Sequence, residues 1–565
     1  MNDEATMMPL SVAQVATAVN GKLIIPQGAS TYAETVVTST VSDSRQVRDG
    51  SVFVAIAGER VDGHDFVAKA AELGAAVALV QHEVDAPIAQ IIVDDTVDAL
   101  GLLARANIAA RRASGQPFTI IGITGSVGKT TTKDLTAALL STLGPTVAPI
   151  GSFNNEIGLP LTALKVSEHT RFLVAEMGAS HIGEIARLTT IAPPDIAVVL
   201  KVGVAHLGEF GSVERIAQAK SEIVQGLLPG GMAVLNADDE HVAAMAAIAP
   251  ADVTWFGTLP DHDGRNDMFR GRDIVTDDLD HPSFNMVDAN GVVTPVTLGI
   301  CGAHNVMNAL AASTVAHVLG MDAAAISAVL GEQSHISPHR MAVSHVKRNG
   351  SAFTLIDDSY NANPDSMKAG LDGLARWSSG GVKPFRVAVL GAMLELGGNE
   401  KALHEEVGAY AARLGLDAIV AVGNNTDPHF DELAGAIAAG ARQQQDTLQQ
   451  QAARQEDSAR QEDNNLREVN ASTNASTPST NRAENEQEPS QSAGCQDHLA
   501  SLPAVDRRSG CTALIDWVHD TDHADAAVTE LARNHADTVV LLKGSHFSGL
   551  SALAERWSAD AAKTV

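Results

Sequence analysis

Short apolar runs alternate along most of the chain with alanine-rich stretches of helical composition. Continuous Val, Ile, Leu and Ala runs are typical of strands buried on both faces. Their alternation with helical stretches predicts βαβ units, and therefore parallel sheets with helices outside. The predicted strands are Ser51–Ala57, Ala76–Val80, Phe118–Ile123, Phe172–Glu176, Ile196–Val202, Met232–Leu235, Phe353–Ile356, Arg386–Leu390, Ala418–Val422 and Thr538–Leu542.

One segment departs from this pattern. Residues 442–510 are rich in Gln, Asn, Ser, Glu and Asp and contain no aromatic residue. Such a composition buries too little apolar surface to offset the entropy lost on ordering, so we expect a disordered insertion. A solvated spacer is favoured over a tail that binds a partner. The globular pattern resumes near Thr512.

The length of 565 residues exceeds what one hydrophobic core supports. Two breaks are visible, at Ala113–Pro117, where a helical stretch gives way to Ser-Gly-Gln-Pro, and at Ser337–Arg340, after a long alanine-rich helical stretch. We therefore expect an α/β protein of three domains. Their predicted limits are 1–115, 116–340 and 341–565, the last with the insertion at 442–510.

Charge and cysteine usage narrow the functional classes. The net charge is −29, from 39 basic and 68 acidic residues. This disfavours general nucleic-acid and anionic-membrane binders, which need clustered Lys and Arg. Met1–Leu10 does not resemble a secretory signal, and no apolar run is long enough to span a membrane. Cys301, Cys495 and Cys511 lack metal-ligand spacing. These features predict a cytoplasmic protein without membrane insertion.

A glycine loop follows the predicted strand Phe118–Ile123 and gives the sharpest chemical signal. Glycines let backbone N–H groups cradle phosphates, and the next helix adds positive potential at its N-terminus. Lys129 would reach the outer phosphates, and the Thr130 hydroxyl would bind Mg²⁺. A tight strand–helix turn without a ligand would explain the glycines but not the Lys-Thr pair that follows them. The match to the usual phosphate-loop pattern is imperfect, because Ile123 stands where that pattern has glycine. The predicted ATP-binding loop comprises Gly125, Ser126, Val127, Gly128, Lys129, Thr130 and Thr131.

One acidic residue further along the chain is a candidate metal ligand. Glu176 ends a predicted strand, where proteins with such loops place a carboxylate near the metal. His206 follows another predicted strand, and Lys220 lies in the apparent helix 212–225. By residue chemistry alone, His206 has the features of a structural histidine and Lys220 those of a solvated helix residue.

The ordered set of motifs resembles the Mur ligases of peptidoglycan synthesis. This resemblance covers nearly the whole chain outside the polar insertion. It implies an N-terminal nucleotide-sugar-binding domain, a central P-loop ATPase-like domain and a C-terminal Rossmann-like domain. The motifs that carry it, besides the glycine loop, are Asp43–Arg45, Gly50–Gly58, Asp62–Phe66, Asn154–Pro160, Ala175–Gly178, Ala205–Leu207, Ala219–Ile223, His304–Leu310, Pro338–Arg340 and Asp357–Pro364.

The resemblance also implies roles for individual residues. Thr130 and Glu176 match Mg²⁺ ligands, His206 matches a residue at a second metal ion, and Lys220 matches a lysine that is carbamylated into an anionic ligand. Lys129, His206, Lys220 and Arg340 are the implied catalytic group. For ATP, the resemblance implies that Asn305 and Asn308 lie near the adenine, Arg340 near the phosphates and Asp358 near the ribose. For the other substrates, it implies that Ser44 and Arg45 hold the uridine end and that Asn154 and Asn155 meet the muramoyl substrate. Asn361 and Asn363 are implied to make further substrate contacts.

Within the family, Asp357–Pro364 most resembles members that join D-alanyl-D-alanine to UDP-N-acetylmuramoyl-tripeptide. The resemblance implies that ATP activates the tripeptide carboxylate as an acyl phosphate, in a monomer using two Mg²⁺ ions. The alternatives are a lysine- or diaminopimelate-adding member, folylpolyglutamate synthetase, which shares the ATP site, and, from another class, a P-loop NTPase acting as a switch or binding module. One departure from the family pattern is His546, which replaces an arginine after Lys543-Gly-Ser.

Overall fold

A computed structural model describes residues 6–26, 32–58, 61–203, 207–259, 268–334, 336–378, 381–474 and 512–562. It contains three main β-sheets, drawn from successive stretches of the chain. We call each sheet, together with the helices that follow its strands, a module. All ten predicted strands are present, with ends shifted by at most three residues. The predicted α/β class is confirmed, while the exact domain limits stay a prediction.

The N-terminal module is built on a five-stranded sheet of order β2-β7-β6-β5-β4. Its strands are parallel except for β2, which runs antiparallel to β7. A short antiparallel pair, β1 and β3, lies beside it. The strands are β1 (Leu10–Ser11), β2 (Lys22–Ile24), β3 (Val36–Val37), β4 (Ser39–Val41), β5 (Ser51–Val54), β6 (Val77–Val80) and β7 (Ala89–Ile92).

The central module has a nine-stranded sheet of order β16-β15-β14-β13-β12-β11-β8-β10-β9. Seven strands are parallel, and β15 and β16 complete an antiparallel ribbon with β14. The strands are β8 (Thr119–Thr124), β9 (Thr146–Val147), β10 (Phe172–Glu176), β11 (Ile196–Val199), β12 (Met232–Asn236), β13 (Asp252–Gly257), β14 (Met268–Thr276), β15 (Pro282–Val287) and β16 (Val293–Thr297).

The C-terminal module has a six-stranded sheet of order β17-β18-β22-β19-β20-β21. Only β17 is antiparallel to its neighbour. The strands are β17 (Ala342–Arg348), β18 (Ser351–Asp358), β19 (Phe385–Gly391), β20 (Ala418–Val422), β21 (Leu514–Val518) and β22 (Thr538–Lys543).

Sixteen helices connect these strands within the described ranges. None of them is long and apolar enough to cross a membrane. They are α1 (Val12–Ala18), α2 (Val67–Glu72), α3 (Thr96–Ala113), α4 (Lys129–Ser141), α5 (Gly158–Ala163), α6 (Glu184–Ile191), α7 (Leu207–Phe210), α8 (Val213–Gln225), α9 (Glu240–Ala244), α10 (Asn305–Val318), α11 (Ala323–Glu332), α12 (Pro364–Arg376), α13 (Glu400–Arg413), α14 (Pro428–Asn474), α15 (Thr521–Asn534) and α16 (Leu550–Ala562).

The expectation of purely parallel sheets is wrong for the strands at three sheet edges. In β15, buried and half-exposed residues alternate, and in β16 alternate residues are exposed and only Val296 is buried. A strand buried on one face only shows this alternation, whereas the parallel strands of the sheet centres are buried on both faces. Continuous apolar runs therefore identify the central strands and miss the edges.

The polar insertion also differs from expectation at its start. Helix α14 continues to Asn474, so residues 442–474 are helical. Gln445 and Gln449 hydrogen-bond to residues just before β21, at Ala513 and Thr512. Gln, Ala, Glu and Arg have high helix propensities, which a criterion based on apolar content does not register. Residues 475–511, the rest of the predicted insertion together with Cys495 and Cys511, lie outside the described residues.

The N-terminal and central modules share one continuous hydrophobic core. Helix α3 leaves the N-terminal sheet and packs on α5 and α6. Its Arg111 is 2% exposed. The guanidinium donates to the carbonyl oxygens of Thr170 at 2.7 and 3.0 Å and of Pro117 at 2.9 Å. This buried cation fixes the point where the chain passes from one module to the next.

Candidate functional site

A cleft of about 910 Å³ opens between the central and C-terminal modules. The carboxyl ends of the parallel strands face it, as is usual for ligand sites in α/β sheets. Its walls come from the β8–α4 loop, the 152–156 loop, the start of α10, the segment before β17, the β18–α12 loop and the residues after β22. Among the predicted site residues, Gly125, Ser44, Arg45 and Lys220 do not line this cleft.

The β8–α4 loop has the geometry of a phosphate cradle. Gly128 is the N-cap of α4, has φ +83°, and leaves the first N–H groups of the helix without a side-chain cap. A side chain at Gly128 would overlap Oδ1 of Asn308, and one at Gly125 would approach the Leu200 Cβ to 2.9 Å. Glycine is therefore required at both positions, and the free N–H groups of the helix can bind an anion.

Lys129 begins α4 and bends back over the loop. Its ammonium donates to the Gly125 carbonyl oxygen at 2.9 Å. Desolvation lowers the pKa of Lys129, the nearby Arg340 cation lowers it further, and the Glu176 carboxylate opposes both effects. Two cations are thus concentrated beside one carboxylate, an arrangement suited to an anionic ligand such as a nucleotide phosphate.

Glu176 ends β10 and is 1% exposed. Its Oε1 accepts a hydrogen bond from the Asn154 amide at 2.8 Å, while its buried Oε2 has no hydrogen-bond partner. A buried carboxylate oxygen without a donor needs an explanation, and the binding of a cation at this oxygen would supply one. The Thr130 hydroxyl also faces the cleft, 3.2 Å from the Ser152 hydroxyl. These hard oxygen donors fit Mg²⁺, which keeps several waters or phosphate oxygens in its shell.

The described residues include no cluster of three or more His, Cys, Asp or Glu side chains that could hold a metal ion. Lys220 is buried on α8 and does not line the cleft. Burial, followed by the charge of Lys129, lowers the pKa of Lys220 to about 7. The expectation of a solvated helix residue, based on residue chemistry alone, is therefore wrong for Lys220. His206 lies outside the described residues.

Arg340 enters the cleft from the segment before β17. One of its terminal nitrogens lies 3.4 Å from the Thr130 hydroxyl and 3.5 Å from the Ser152 hydroxyl. Its guanidinium covers the ring of Tyr360 at 4.6 Å. The residues on either side, His339 and Met341, have φ of +61° and +50°. Such backbone strain is typical of functional positions, where the surrounding structure holds it in place.

The residues predicted near the adenosine all line the cleft, Asn305 and Asn308 from α10 and Asp358 from the end of β18. The amide of Asn305 donates to the Cys301 carbonyl at 2.6 Å, and the amide of Asn308 donates to Asn305 Oδ1 at 2.8 Å. Asp358 forms a buried ion pair with Lys543. The first two side chains are therefore tied to the protein, which fixes their position for a ligand.

The predicted substrate residues divide into two groups. Asn154, Asn155, Asn361 and Asn363 all line the cleft. Two of them also have local structural roles, since Asn155 Oδ1 accepts from the Gly158 N–H at 2.9 Å and Asn363 caps α12. Ser44 and Arg45 lie in the N-terminal module, where the Arg45 side chain is 87% exposed and pairs with Asp43.

Sequence reasoning missed several residues of the cleft. Ser152, Tyr360, Lys543 and Phe547 line it but were not assigned a role. Tyr360 and Lys543 lie inside motifs already singled out, so the motif itself was the available signal. Ser152 and Phe547 show no such signal. His546, the departure from the family pattern, also lines the cleft, with its ring 5.9 Å from that of Tyr360.

Comparisons with known proteins agree with this geometry. Three family models match the chain: the Mur ligase family catalytic domain at residues 37–107, the Mur ligase middle domain at 123–316 and the Mur ligase glutamate ligase domain at 339–466. A UDP-N-acetylmuramoyl-tripeptide–D-alanyl-D-alanine ligase of Mycobacterium bovis is 44% identical over 441 residues, which are 74% of this chain and 84% of the relative. The Escherichia coli ligase of the same name is 35% identical over 421 residues, 74% and 87% of the two chains.

Two solved structures extend the likeness to the fold. A crystal structure of MurF from Acinetobacter baumannii is 28% identical, with a TM-score of 0.72 and coverage of 98% of this chain and 99% of that one. The MurF ligase of Thermotoga maritima in complex with ADP is 26% identical, with a TM-score of 0.65 and coverage of 93% and 98%. The likeness in fold thus covers 93% or more of this chain, and the likeness in sequence to the named relatives covers 74% of it.

Proposed function

Because the chain belongs to the Mur ligase family, we propose that it is an ATP-dependent ligase that joins D-alanyl-D-alanine to UDP-N-acetylmuramoyl-tripeptide. The product is the UDP-N-acetylmuramoyl-pentapeptide used in peptidoglycan synthesis. The observation that carries this proposal is the 44% identity, over 74% of the chain, to a ligase named for that reaction. The cleft supplies the chemical support, since it places a phosphate cradle, two cations and a partnerless buried carboxylate oxygen together.

The reaction takes place in two steps. The terminal carboxylate of the tripeptide attacks the γ-phosphorus of ATP, forming an acyl phosphate and releasing ADP. The amine of D-alanyl-D-alanine then attacks the acyl carbon, and inorganic phosphate leaves as the amide forms and the ammonium proton is lost. Both nucleophiles belong to the substrates, so the protein needs no nucleophilic side chain.

Charge neutralisation is the main task of the protein in the first step, because two anions must meet. Lys129 and Arg340 carry positive charge into the cleft, and the N–H groups at the start of α4 add partial positive charge. Fixed donors of this kind stabilise phosphoryl transfer without reorganising during the reaction. Arg340 is additionally held against Tyr360, which restricts where its charge lies.

Mg²⁺ would be held by Thr130 and Glu176 and would supply Lewis-acid neutralisation of phosphate oxygens. Asn154 orients Glu176 through the bond to Oε1, leaving Oε2 for the cation. His206 is proposed for a second ion. Lys220 is proposed to react with CO₂, since its amine is buried and its lowered pKa of about 7 leaves a large neutral fraction. The resulting carbamate would be an anionic ligand.

The two-module cleft suits a reaction whose intermediate must be kept from water. Arg340 lies just before the C-terminal module and Tyr360 follows β18 within it, whereas Thr130 and Glu176 belong to the central module. The dipeptide would bind on the C-terminal side, and closing the modules would exclude water from the acyl phosphate. Ser44 and Arg45 would hold the uridine end in the N-terminal module. One chain contains all these parts, so we propose a monomer acting in the cytoplasm.

The test is phosphate release by the purified full chain with ATP, Mg²⁺ and UDP-N-acetylmuramoyl-tripeptide, with and without D-alanyl-D-alanine. We expect release that depends on both substrates, with the pentapeptide identified by mass. Release supported by lysine or diaminopimelate with the corresponding dipeptide precursor would move the chain to another member of the family. Release that ignores every acceptor would leave only an NTPase and refute the ligase.

A further inference from the structure

Lys133 is a fully buried lysine that the proposed chemistry does not use. It lies one turn after Lys129 on α4, is 0% exposed, and is not among the residues that line the cleft. Its ammonium donates to the carbonyl oxygens of Pro149 at 2.7 Å and Gly151 at 3.1 Å, and to the Ser337 hydroxyl at 3.3 Å. Burying an ammonium is expensive, so such a site needs a complete set of partners.

The neighbouring residue completes that set. Asp134 places Oδ1 2.6 Å from the Lys133 ammonium, and its Oδ2 accepts from the Ser337 N–H at 2.8 Å. One turn of α4 therefore contacts two segments that are distant from it in sequence. They are the 149–151 loop and the segment that begins at Ser337.

Two of these segments lead directly to the reactive end of the cleft. The 149–151 loop is followed by Ser152, and Ser337 lies three residues before Arg340. Both Ser152 and Arg340 then contact the same atom, the Thr130 hydroxyl, at 3.2 and 3.4 Å. Thr130 lies on α4, so the helix that presents the proposed Mg²⁺ ligand also anchors the two segments that meet it.

We propose that Lys133 is a positioning residue, which holds the 149–155 loop and Arg340 in register with the phosphate cradle. The inference rests on the proposed function for its kinetic consequence and on the hydrogen-bond network for its geometry. An apolar residue would suffice to fill the space, whereas only a multiple donor binds two carbonyls and a hydroxyl at once. Lys133 acts through Ser152 and Arg340 and touches no substrate.

The variant Lys133→Met keeps the length of the side chain and removes its donors. Displacing catalytic groups by about 1 Å lowers rates by about 100-fold, so we expect kcat to fall 10- to 100-fold. The KM for D-alanyl-D-alanine should change by less than twofold, because the dipeptide binds on the C-terminal side. Asp134→Asn, which keeps an acceptor for the Ser337 N–H, should give a smaller loss in the same direction.

Two comparisons separate positioning from general stability. Ser152→Ala and Lys133→Met combined should be little worse than Lys133→Met alone, because both act on the same contacts. Arg111→Met is the matched control: it removes another buried cation that holds carbonyls, but far from the cleft. This control should lower stability and leave kcat within twofold of the wild type.

A binding readout keeps the proposal testable if the wild type makes no pentapeptide, an outcome that would refute only the proposed function. Calorimetry with ATP should then show that Lys133→Met weakens binding about tenfold in Mg²⁺, with a much smaller effect in EDTA. The positioning role is overturned if Lys133→Met is folded and has the same kcat and the same Mg²⁺-dependent ATP affinity as the wild type. Full additivity with Ser152→Ala, or an equal kinetic loss in Arg111→Met, would overturn it as well.

Discussion

Replacing Gly128 by alanine tests whether the cradle is as tightly fitted as the structure indicates. Gly128 has φ +83°, a left-handed conformation, at the N-cap of α4. A Cβ there would overlap Oδ1 of Asn308, a side chain that is 7% exposed and held by hydrogen bonds. Asn308 in turn accepts from the Thr132 hydroxyl at 3.3 Å and donates to Asn305.

The expected magnitude has two parts. The left-handed conformation costs an alanine about 1 kcal/mol relative to glycine. Moving Asn308 breaks or bends two hydrogen bonds, at about 1 kcal/mol each. We therefore expect Gly128→Ala to lower the free energy of unfolding by about 2 to 4 kcal/mol, if the backbone stays in place. If the loop shifts instead, the stability loss is smaller and ATP affinity falls by about 10- to 100-fold, which is about 1.4 kcal/mol per factor of ten.

The measurements are urea denaturation and calorimetric titration with ATP and Mg²⁺. Gly230→Ala is the control, because Gly230 has φ +79° but a Cβ there meets no atom within 4 Å. That variant should lose about 1 kcal/mol of stability and bind ATP as the wild type does. Equal stability losses in the two variants, with unchanged ATP affinity in Gly128→Ala, would refute the argument that Asn308 closes this site.

Three further predictions concern the metal site, a buried histidine and the contact between modules. Glu176→Gln should lower kcat/KM by about 100-fold and raise the Mg²⁺ concentration for half-maximal rate, as measured by a metal titration; an unchanged titration curve would exclude this ligand. Burial lowers the pKa of His404 from 6.5, so the folded state favours the neutral imidazole. The contribution of His404 to the free energy of unfolding is therefore present above pH 6.5 and is lost as the pH falls through the lowered pKa. His404→Gln should make the urea midpoints measured between pH 5 and 7 less dependent on pH. Arg376→Met removes the ion-pair partner of Asp280, which is 1% exposed, and should lower the free energy of unfolding by about 1 kcal/mol. This value is small for a buried carboxylate because Arg376 is 43% exposed and its charge is screened by solvent. Lys368→Met, at a more exposed ion pair, is the control and should change the free energy of unfolding very little.

The fold was predictable where one physical signal dominates. Strands such as Phe172–Glu176 and Ala418–Val422 are buried along their whole length, so a continuous apolar run identifies them with both ends correct. Edge strands such as Val293–Thr297 expose alternate residues and mix with loop composition. In helix α14 a polar segment predicted to be disordered is helical instead. Its helical structure follows from the high helix propensity of its residues and not from the burial of apolar side chains.

The candidate site was predictable where the chemistry depends on the backbone. The glycine loop and Lys129 follow from local sequence, because a phosphate cradle needs adjacent residues. Lys133 donates to the carbonyl oxygens of Pro149 and Gly151, which any residue type could supply, so the sequence does not reveal these contacts. The contact between the Ser152 and Thr130 hydroxyls likewise joins residues that are separated along the chain. Lys220 is similar, since only the folded structure reveals that its amine is buried.

The position of Arg340 joins these observations into one mechanism. Arg340 lies on the segment that leads into the C-terminal module, yet it contacts Thr130 of the central module. Strain at His339 and Met341 and the Ser337 contacts to α4 restrict this segment. The guanidinium also lies over the ring of Tyr360 in the C-terminal module, at 4.6 Å, so displacing that module would remove a contact that holds this cation. We propose that this contact makes acyl phosphate formation depend on the C-terminal module, on whose side we propose that the amine binds, so that the reactive intermediate forms when its acceptor site is in place.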